Sequence, residues 1–127
     1  MANNYTQSSS LIGIPAEKPE KAQEVADRVR EELTTEDESF GCNVEIIAGE
    51  GVWISHDDSI NIENAEVLVK ALVEELDLEG VFVVSWAYTC SRPRVDEFGG
   101  GAFAVQKGQD TKWVDATEMV RDLAKHT

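Results

Sequence analysis

The chain has 127 residues, with 25 acidic and 11 basic side chains and a formal net charge of -14. Its length fits one compact domain and 42% of its residues are hydrophobic, which excludes disorder along the whole chain. This excess of carboxylates repels phosphate backbones and anionic lipid surfaces, so it disfavours direct binding to nucleic acid or to a membrane.

The sequence predicts a regular succession of strands and helices after a polar start. Residues 1–10 are polar and are expected to form a flexible tail. The predicted elements, in chain order, are a strand over 11–14, a helix over 19–33, strands over 42–48 and 52–55, a helix between Asn61 and Gly80, strands over 81–90, 102–106 and 111–114, and a helix after Asp115.

The helix boundaries carry local signals. Pro19 is tolerated at a first helical position, and Asn61 can accept a backbone N–H as an N-cap. Asp115 and Glu118 have the spacing of a capping box ahead of an apolar pattern at the C-terminus. Each helix therefore has a defined start and a stripe of apolar residues to bury.

This order of elements predicts an α+β fold, in which a single antiparallel or mixed sheet of five or six strands is covered by two or three helices. Hairpins with short turns require antiparallel pairing, and each helix must cover one face of the sheet. A βαββαβ core with an added hairpin and a C-terminal helix is the expected topology. The chain, 1–127, is expected to be a single domain, and the strand over 81–90, apolar on both faces, is expected to be central.

The most unusual segment is residues 86–102, with the sequence WAYTCSRPRVDEFGGGA. Pro93 restricts the backbone around it, so the arginines on either side lie on a semi-rigid stretch. One interpretation is an internal latch in which the arginines pair with nearby carboxylates. The other is a recognition loop for an anion or for a protein partner. The candidate binding residues are Arg92, Arg94, Glu97, Phe98, Gly99, Gly100 and Gly101.

No catalytic residue and no cofactor is predicted. The three glycines lead into a strand and not into a helix, so they do not fit a phosphate-binding loop. Cys90 lies near two arginines, which could activate its thiol, but a thiolate enzyme normally needs a histidine base. The two histidines are His56, in an acidic turn, and His126, near the chain end. Cys42 and Cys90 are expected to be reduced.

No metal site is predicted either. His56, Asp57 and Asp58 offer nitrogen and oxygen ligands, but adjacent residues on an extended chain point in opposite directions. The acidic segment 34–38 lacks the glycine and the terminal glutamate of a calcium-binding loop. Both segments are expected to be acidic turns that face water.

Residues 86–94 and 97–102 resemble the signature of a family of small uncharacterised proteins from bacteria, phages and mobile elements. In that family a W-A-x-T-C-S-[KR]-P-R-x-x-E-F-G-G-G-A run follows a Trp-containing hairpin, and 52–54 of this chain are similar in placement. The resemblance implies a bacterial or phage cytoplasmic setting and no catalytic activity. The absence of any long apolar run in the sequence agrees with a cytoplasmic location.

The charge is unevenly distributed along the chain. Residues 1–79 contain 19 acidic and 5 basic side chains, whereas 80–127 contain 6 of each, so the first part carries the whole net charge. If the first two helices cover the same face of the sheet, their outer surfaces form an acidic face. The candidate residues of this face are Glu20, Glu24, Asp27, Glu31, Glu63, Glu66 and Glu74.

Three functional hypotheses follow. The first is a non-enzymatic protein that docks on a partner with a basic surface, in its sharpest form a DNA-mimicking phage or mobile-element inhibitor of a host nucleic-acid-acting defence machine. The second is a module that binds a small anion through Arg92, Arg94 and Gly99–Gly101. The third is a structural homodimer whose acidity serves solubility or salt adaptation.

Overall fold

The computed structural model describes residues 4–92 and 98–125 of the chain. Six strands and three helices lie within these residues. Their bounds are β1 Asn4–Gly13, α1 Pro19–Leu33, β2 Asn43–Ile47, β3 Gly51–His56, α2 Ile62–Glu75, β4 Val81–Cys90, β5 Gly99–Gln106, β6 Lys112–Asp115 and α3 Ala116–Lys125.

The six strands form one antiparallel sheet in the order β2-β3-β1-β4-β5-β6. The predicted α+β class is therefore confirmed, and the elements β1 to β4 follow the predicted βαββαβ order. Strand β3 lies between β1 and β2, which α1 connects, and β1 lies between β3 and β4, which α2 connects. The two βαβ units therefore interlock in the sheet. The hairpin β5-β6 and helix α3 extend this core at one edge.

The prediction of a flexible tail over 1–10 is wrong for the residues that the structure describes. Residues 4–10 belong to β1, which pairs with β4 through its first part and with β3 through its second. The polar side chains of this strand also bond to its neighbours: the Ser8 hydroxyl donates to the Ser85 carbonyl at 2.6 Å and the Gln7 amide to the Asp57 carbonyl at 2.9 Å. Pairing with two strands outweighs the low strand propensity of serine.

Helices α1 and α2 contact each other and bury their apolar stripes against the same face of the sheet. The predicted N-cap is confirmed, because the Asn61 side chain accepts the backbone N–H of Asn64 at 3.0 Å. Across the helix pair, the Arg28 guanidinium donates two hydrogen bonds to the Glu75 carboxylate. These bonds, together with the Arg28 charge, lower the pKa of Glu75. The core lies between these two helices and the sheet.

The opposite face of the sheet is not covered by any of the three helices. Strand β4 is internal as predicted, yet only one of its faces is buried: Val84 is almost fully buried, whereas Val81 and Val83 are 60% and 52% exposed. The apolar residues on the second face are therefore at the surface. We call this surface the open face.

Candidate functional site

The predicted binding loop is only partly within the described residues. Arg92 is exposed in a bend directly after β4, and Phe98 is exposed directly before β5. Arg94 and Glu97 lie outside the described residues. A polar cavity of about 420 Å³ borders the end of this segment, between Tyr88, Phe98, Arg121 and the start of α3.

The three glycines do not belong to a loop. Gly99, Gly100 and Gly101 form the first half of β5 and pair with Tyr88, Ala87 and Trp86 of β4. None of them has a positive φ. A methyl group on Gly101 would lie 2.6 Å from the Trp86 ring and 2.4 Å from the Val114 carbonyl oxygen. The glycines thus allow Trp86 and β6 to pack closely against β5. Because they are paired within a strand, they do not form the flexible backbone loop around an anion that the anion-binding hypothesis requires.

The acidic face is clearest on α1. Glu20, Glu24, Asp27 and Glu31 follow one another at intervals of four, three and four residues, which places them on one stripe. All four are exposed, and the buried residues of α1 lie on the opposite side of the helix. Asp27 accepts a hydrogen bond from Gln23 and lies 3.9 Å from Arg30, whereas the other three have no ion pair among the described residues. We call this stripe the acidic ridge.

The predicted acidic residues of α2 are placed differently. Glu66 accepts the Thr111 hydroxyl at 2.5 Å, and Glu74 accepts the backbone N–H of Gly108 at 2.9 Å. Both carboxylates therefore fasten the β5-β6 turn to α2, and Lys70 lies between them along the helix. Glu63 remains exposed in the first turn. The continuous acidic surface is thus formed by α1 and does not extend over both helices.

Helix α3 exposes its apolar side instead of burying it. Met119, Val120 and Leu123 are 50%, 65% and 58% exposed, and no residue of α3 is buried. Thr117 lies near Gly99, so the start of α3 meets the helix-bearing face of β5. The sequence predicts this amphipathic helix but not its exposure. No local signal in the sequence distinguishes an apolar stripe that is covered from one that is not.

Between α3 and β6 lies a groove of about 330 Å³, which we call the α3 groove. Its apolar lining comes from Trp113, Val114, Met119 and Leu123, and its charged lining comes from Asp115, Glu118 and Asp122. None of the basic side chains within the described residues lines it. Trp113 is 48% exposed, and its ring packs against Phe103 with a centroid distance of 5.1 Å.

The floor of the α3 groove is held in position by the fold. The Phe103 ring is buried in the core and also contacts Trp86, so Trp113 stands on a fixed aromatic cluster. Asp115 accepts the backbone N–H groups of Thr117 and Glu118 through one carboxylate oxygen, which fixes the start of α3 relative to β6. The groove therefore combines a rigid aromatic floor with an acidic rim.

The turn at His56 differs from its prediction in geometry. One potential ligand atom from each of His56, Asp57 and Asp58 lies within 4.8 Å of the other two, although adjacent residues were expected to diverge. The His56 Nδ1 atom accepts the backbone N–H groups of Asp58 and Ser59 at 3.2 and 3.0 Å, so its lone pair is already used. These hydrogen bonds within the turn account for the close approach of the three side chains.

The two cysteines are both reduced and half-buried. Burial raises the pKa of the Cys42 thiol to about 11. At neutral pH this thiol is protonated, which makes it a packing residue. Cys90 lies at the end of β4, two residues before Arg92.

No helix in the described part of the chain is both long enough and apolar enough to cross a membrane. Comparison with protein-family models, with curated proteins and with solved structures gives no match.

Proposed function

We propose that the protein acts by docking on another protein, and that the α3 groove receives a segment of the partner that is both basic and apolar. The observation that carries the proposal is the exposure of Met119, Leu123 and Trp113 around a groove rimmed by three carboxylates. Exposed apolar surface of this kind typically marks a protein–protein contact. The acidic rim selects lysine or arginine beside the apolar anchor.

The acidic ridge on α1 supports the same kind of partner. Its exposed carboxylates and the net charge of -14 attract a basic surface over a distance, which raises the rate of encounter at low salt. The ridge lies on the α1 side of the sheet and the groove lies at β6, so the two surfaces have different roles. The groove provides the specific apolar contact, and the ridge first attracts the basic surface of the partner and then pairs with it.

Among proteins with basic surfaces, those that bind nucleic acid carry the largest clusters of lysine and arginine. We therefore take a nucleic-acid-binding protein of a bacterial or phage cytoplasm as the natural partner, and inhibition by occupation of its basic cleft as the consequence. The carboxylates of the ridge stand in for phosphates in that arrangement.

Defined peptides test the groove first. A fluorescently labelled peptide of alternating lysine and leucine residues should bind and change Trp113 emission, whereas a polylysine peptide and a glutamate–leucine peptide of equal length should bind at least about tenfold more weakly. Leu123→Lys should abolish the preference for the lysine–leucine peptide. Val67→Lys is the matched control, because Val67 is an exposed apolar residue on α2, away from the groove. Equal binding of all three peptides, or no effect of Leu123→Lys, overturns the proposal.

The partner class is tested separately by affinity capture from a bacterial lysate at moderate salt. Proteins retained by the parent chain and by Val67→Lys, but lost with Leu123→Lys, are specific to the groove. These should be DNA- or RNA-binding proteins, and their nuclease or binding activity should fall when the chain is added. Recovery of specific partners without basic nucleic-acid-binding surfaces would disprove the inhibitor form.

A further inference from the structure

The open face of the sheet is almost without charge. Among the described strand residues that point to this face, Glu45 on β2 and Lys112 on β6 are the charged ones, at opposite edges of the sheet. Large apolar side chains are exposed between them, including Leu11, Val83 and Trp53. The Trp53 indole N–H donates to the Ser9 hydroxyl at 2.8 Å, which holds the ring across the neighbouring strand.

The strand register places one row of side chains across the whole open face. Glu45 is opposite Trp53, Trp53 is opposite Leu11, Val83 is opposite Ala104, and Ala104 is opposite Lys112. The β1-β4 pairs end at Gln7 and Ala87, and continuing this register by four residues brings Leu11 and Val83 to corresponding positions on the two strands. The row in sheet order is therefore Glu45, Trp53, Leu11, Val83, Ala104 and Lys112.

When the row is laid against a reversed copy of itself, the facing side chains are complementary in charge and in size. When two open faces meet around a two-fold axis parallel to the strands, the β2 edge of one copy lies over the β6 edge of the other. Glu45 then faces Lys112, the large Trp53 faces the small Ala104, and Leu11 faces Val83, each twice. A two-fold axis across the strands would instead place Glu45 against Glu45 and Trp53 against Trp53. The first arrangement pairs opposite charges and fits large to small.

The size and charge of the surface fit a second copy of this chain. Five inter-strand spacings and a strand length of about six residues give a face of about 24 by 20 Å, so two copies bury about 960 Å² of face area together. That is close to the lower limit of about 1,000 Å² for a specific interface. Since the chain carries a net charge of -14, most other surfaces of two copies repel each other.

We infer that the protein forms a two-fold homodimer in which the open faces of two sheets pack against each other, with Glu45 of each copy paired to Lys112 of the other. This inference does not rest on the proposed docking function, because none of the six side chains in the row lines the α3 groove.

Sedimentation equilibrium of the full chain at several salt concentrations tests the dimer. Dimers should form at micromolar concentration and should become tighter with added salt, because screening weakens the repulsion between two chains of charge -14. Val83→Glu places carboxylates in the centre of the apolar contact and should weaken the dimer at least about tenfold. Val67→Glu, the same substitution on the exposed side of α2, should leave it unchanged. Thermal melting verifies that each variant folds.

A charge swap tests the orientation. Glu45→Lys alone and Lys112→Glu alone each create like-charged contacts and should weaken association, whereas the double variant restores opposite charges and should recover the dimer. A monomer at all concentrations and salt levels overturns the inference. So does a dimer that is insensitive to Val83→Glu, or a double variant that is no tighter than the two single ones. None of these results affects the peptide assay of the α3 groove.

Discussion

The close contact at Gly101 leads to a sharp prediction about the glycine run. In Gly101→Ala the new methyl group would lie 2.4 Å from the Val114 carbonyl oxygen and 2.6 Å from Cζ2 of Trp86. Real side chains do not approach this closely, so either β6 or the Trp86 ring must move. The matched control is Gly99→Ala, whose methyl group would lie 3.5 Å from the Tyr88 ring and 3.6 Å from the Thr117 hydroxyl. Those are ordinary contacts.

The expected magnitude follows from these distances. Overpacking of this kind costs about 1–3 kcal/mol. Both substitutions also restrict the unfolded chain, which contributes about 0.4–1 kcal/mol in favour of the folded state in each case. We therefore expect Gly101→Ala to be about 2 kcal/mol less stable than Gly99→Ala, which corresponds to about 8 °C in Tm for a chain of this size.

Urea unfolding followed by tryptophan fluorescence measures both variants, since Trp86 and Trp113 lie beside the substituted strand. Gly99→Ala should be as stable as the parent chain or up to about 1 kcal/mol more stable. Because β6 carries Trp113, a shift of β6 in Gly101→Ala should also weaken peptide binding in the α3 groove. Equal stability of the two variants would refute the steric account of the glycine run.

Three further predictions concern stability and reactivity. Asn61→Ala removes the N-cap of α2 and should cost about 1 kcal/mol in urea unfolding, whereas Asn61→Asp keeps the acceptor and should cost less than half of that. The variant Cys90→Ala leaves Cys42 as the single thiol. In the native protein at pH 8, Cys42 should react with iodoacetamide more than about a hundredfold more slowly than in urea, because its raised pKa leaves about one molecule in a thousand as the thiolate. A smaller ratio of the two rates, measured by mass spectrometry, would contradict its burial. The hydrogen bond from Lys107 and the Lys107 charge lower the pKa of Asp77 in the folded state. This pair therefore stabilises the fold above the usual carboxyl pKa and ceases to do so as pH falls through the folded pKa of Asp77. The difference in Tm between the parent and Lys107→Met should accordingly be present near neutral pH and shrink as the pH falls below the usual carboxyl range, and a constant difference would contradict it.

Elements with a strong apolar period could be predicted from the sequence, and those decided by tertiary pairing could not. Strand β4 and helix α1 begin and end where their patterns indicate. Residues 4–10 have no such pattern, and they form a strand because β3 and β4 offer backbone partners on both sides. A strand that is specified by its neighbours carries no signal of its own.

The sequence predicts which types of residue make up the candidate site but not how the fold arranges them. The acidic character of α1 and the amphipathic pattern of α3 are visible in the sequence. Whether α3 covers the sheet depends on how far the sheet extends beyond α2, which local patterns do not contain. The role of Gly101 likewise depends on Trp86 and Val114, which lie 15 and 13 residues away along the chain. Long-range packing decided each of these features.

The two proposed associations have a joint geometric consequence. In the dimer the β6 edge of one copy, with its α3 groove, lies over the β2 edge of the other, and α1 contacts β2. A partner that wraps this edge therefore meets the groove of one chain and the acidic ridge of the other. A mixed dimer tests this arrangement. One chain carries Leu123→Lys, and in the other the ridge residues Glu20, Glu24, Asp27 and Glu31 are neutralised. One edge of this dimer keeps both an intact groove and an intact ridge, so the dimer should bind one partner with the parent affinity. If groove and ridge act only within the same chain, that mixed dimer retains no complete site and should bind only weakly.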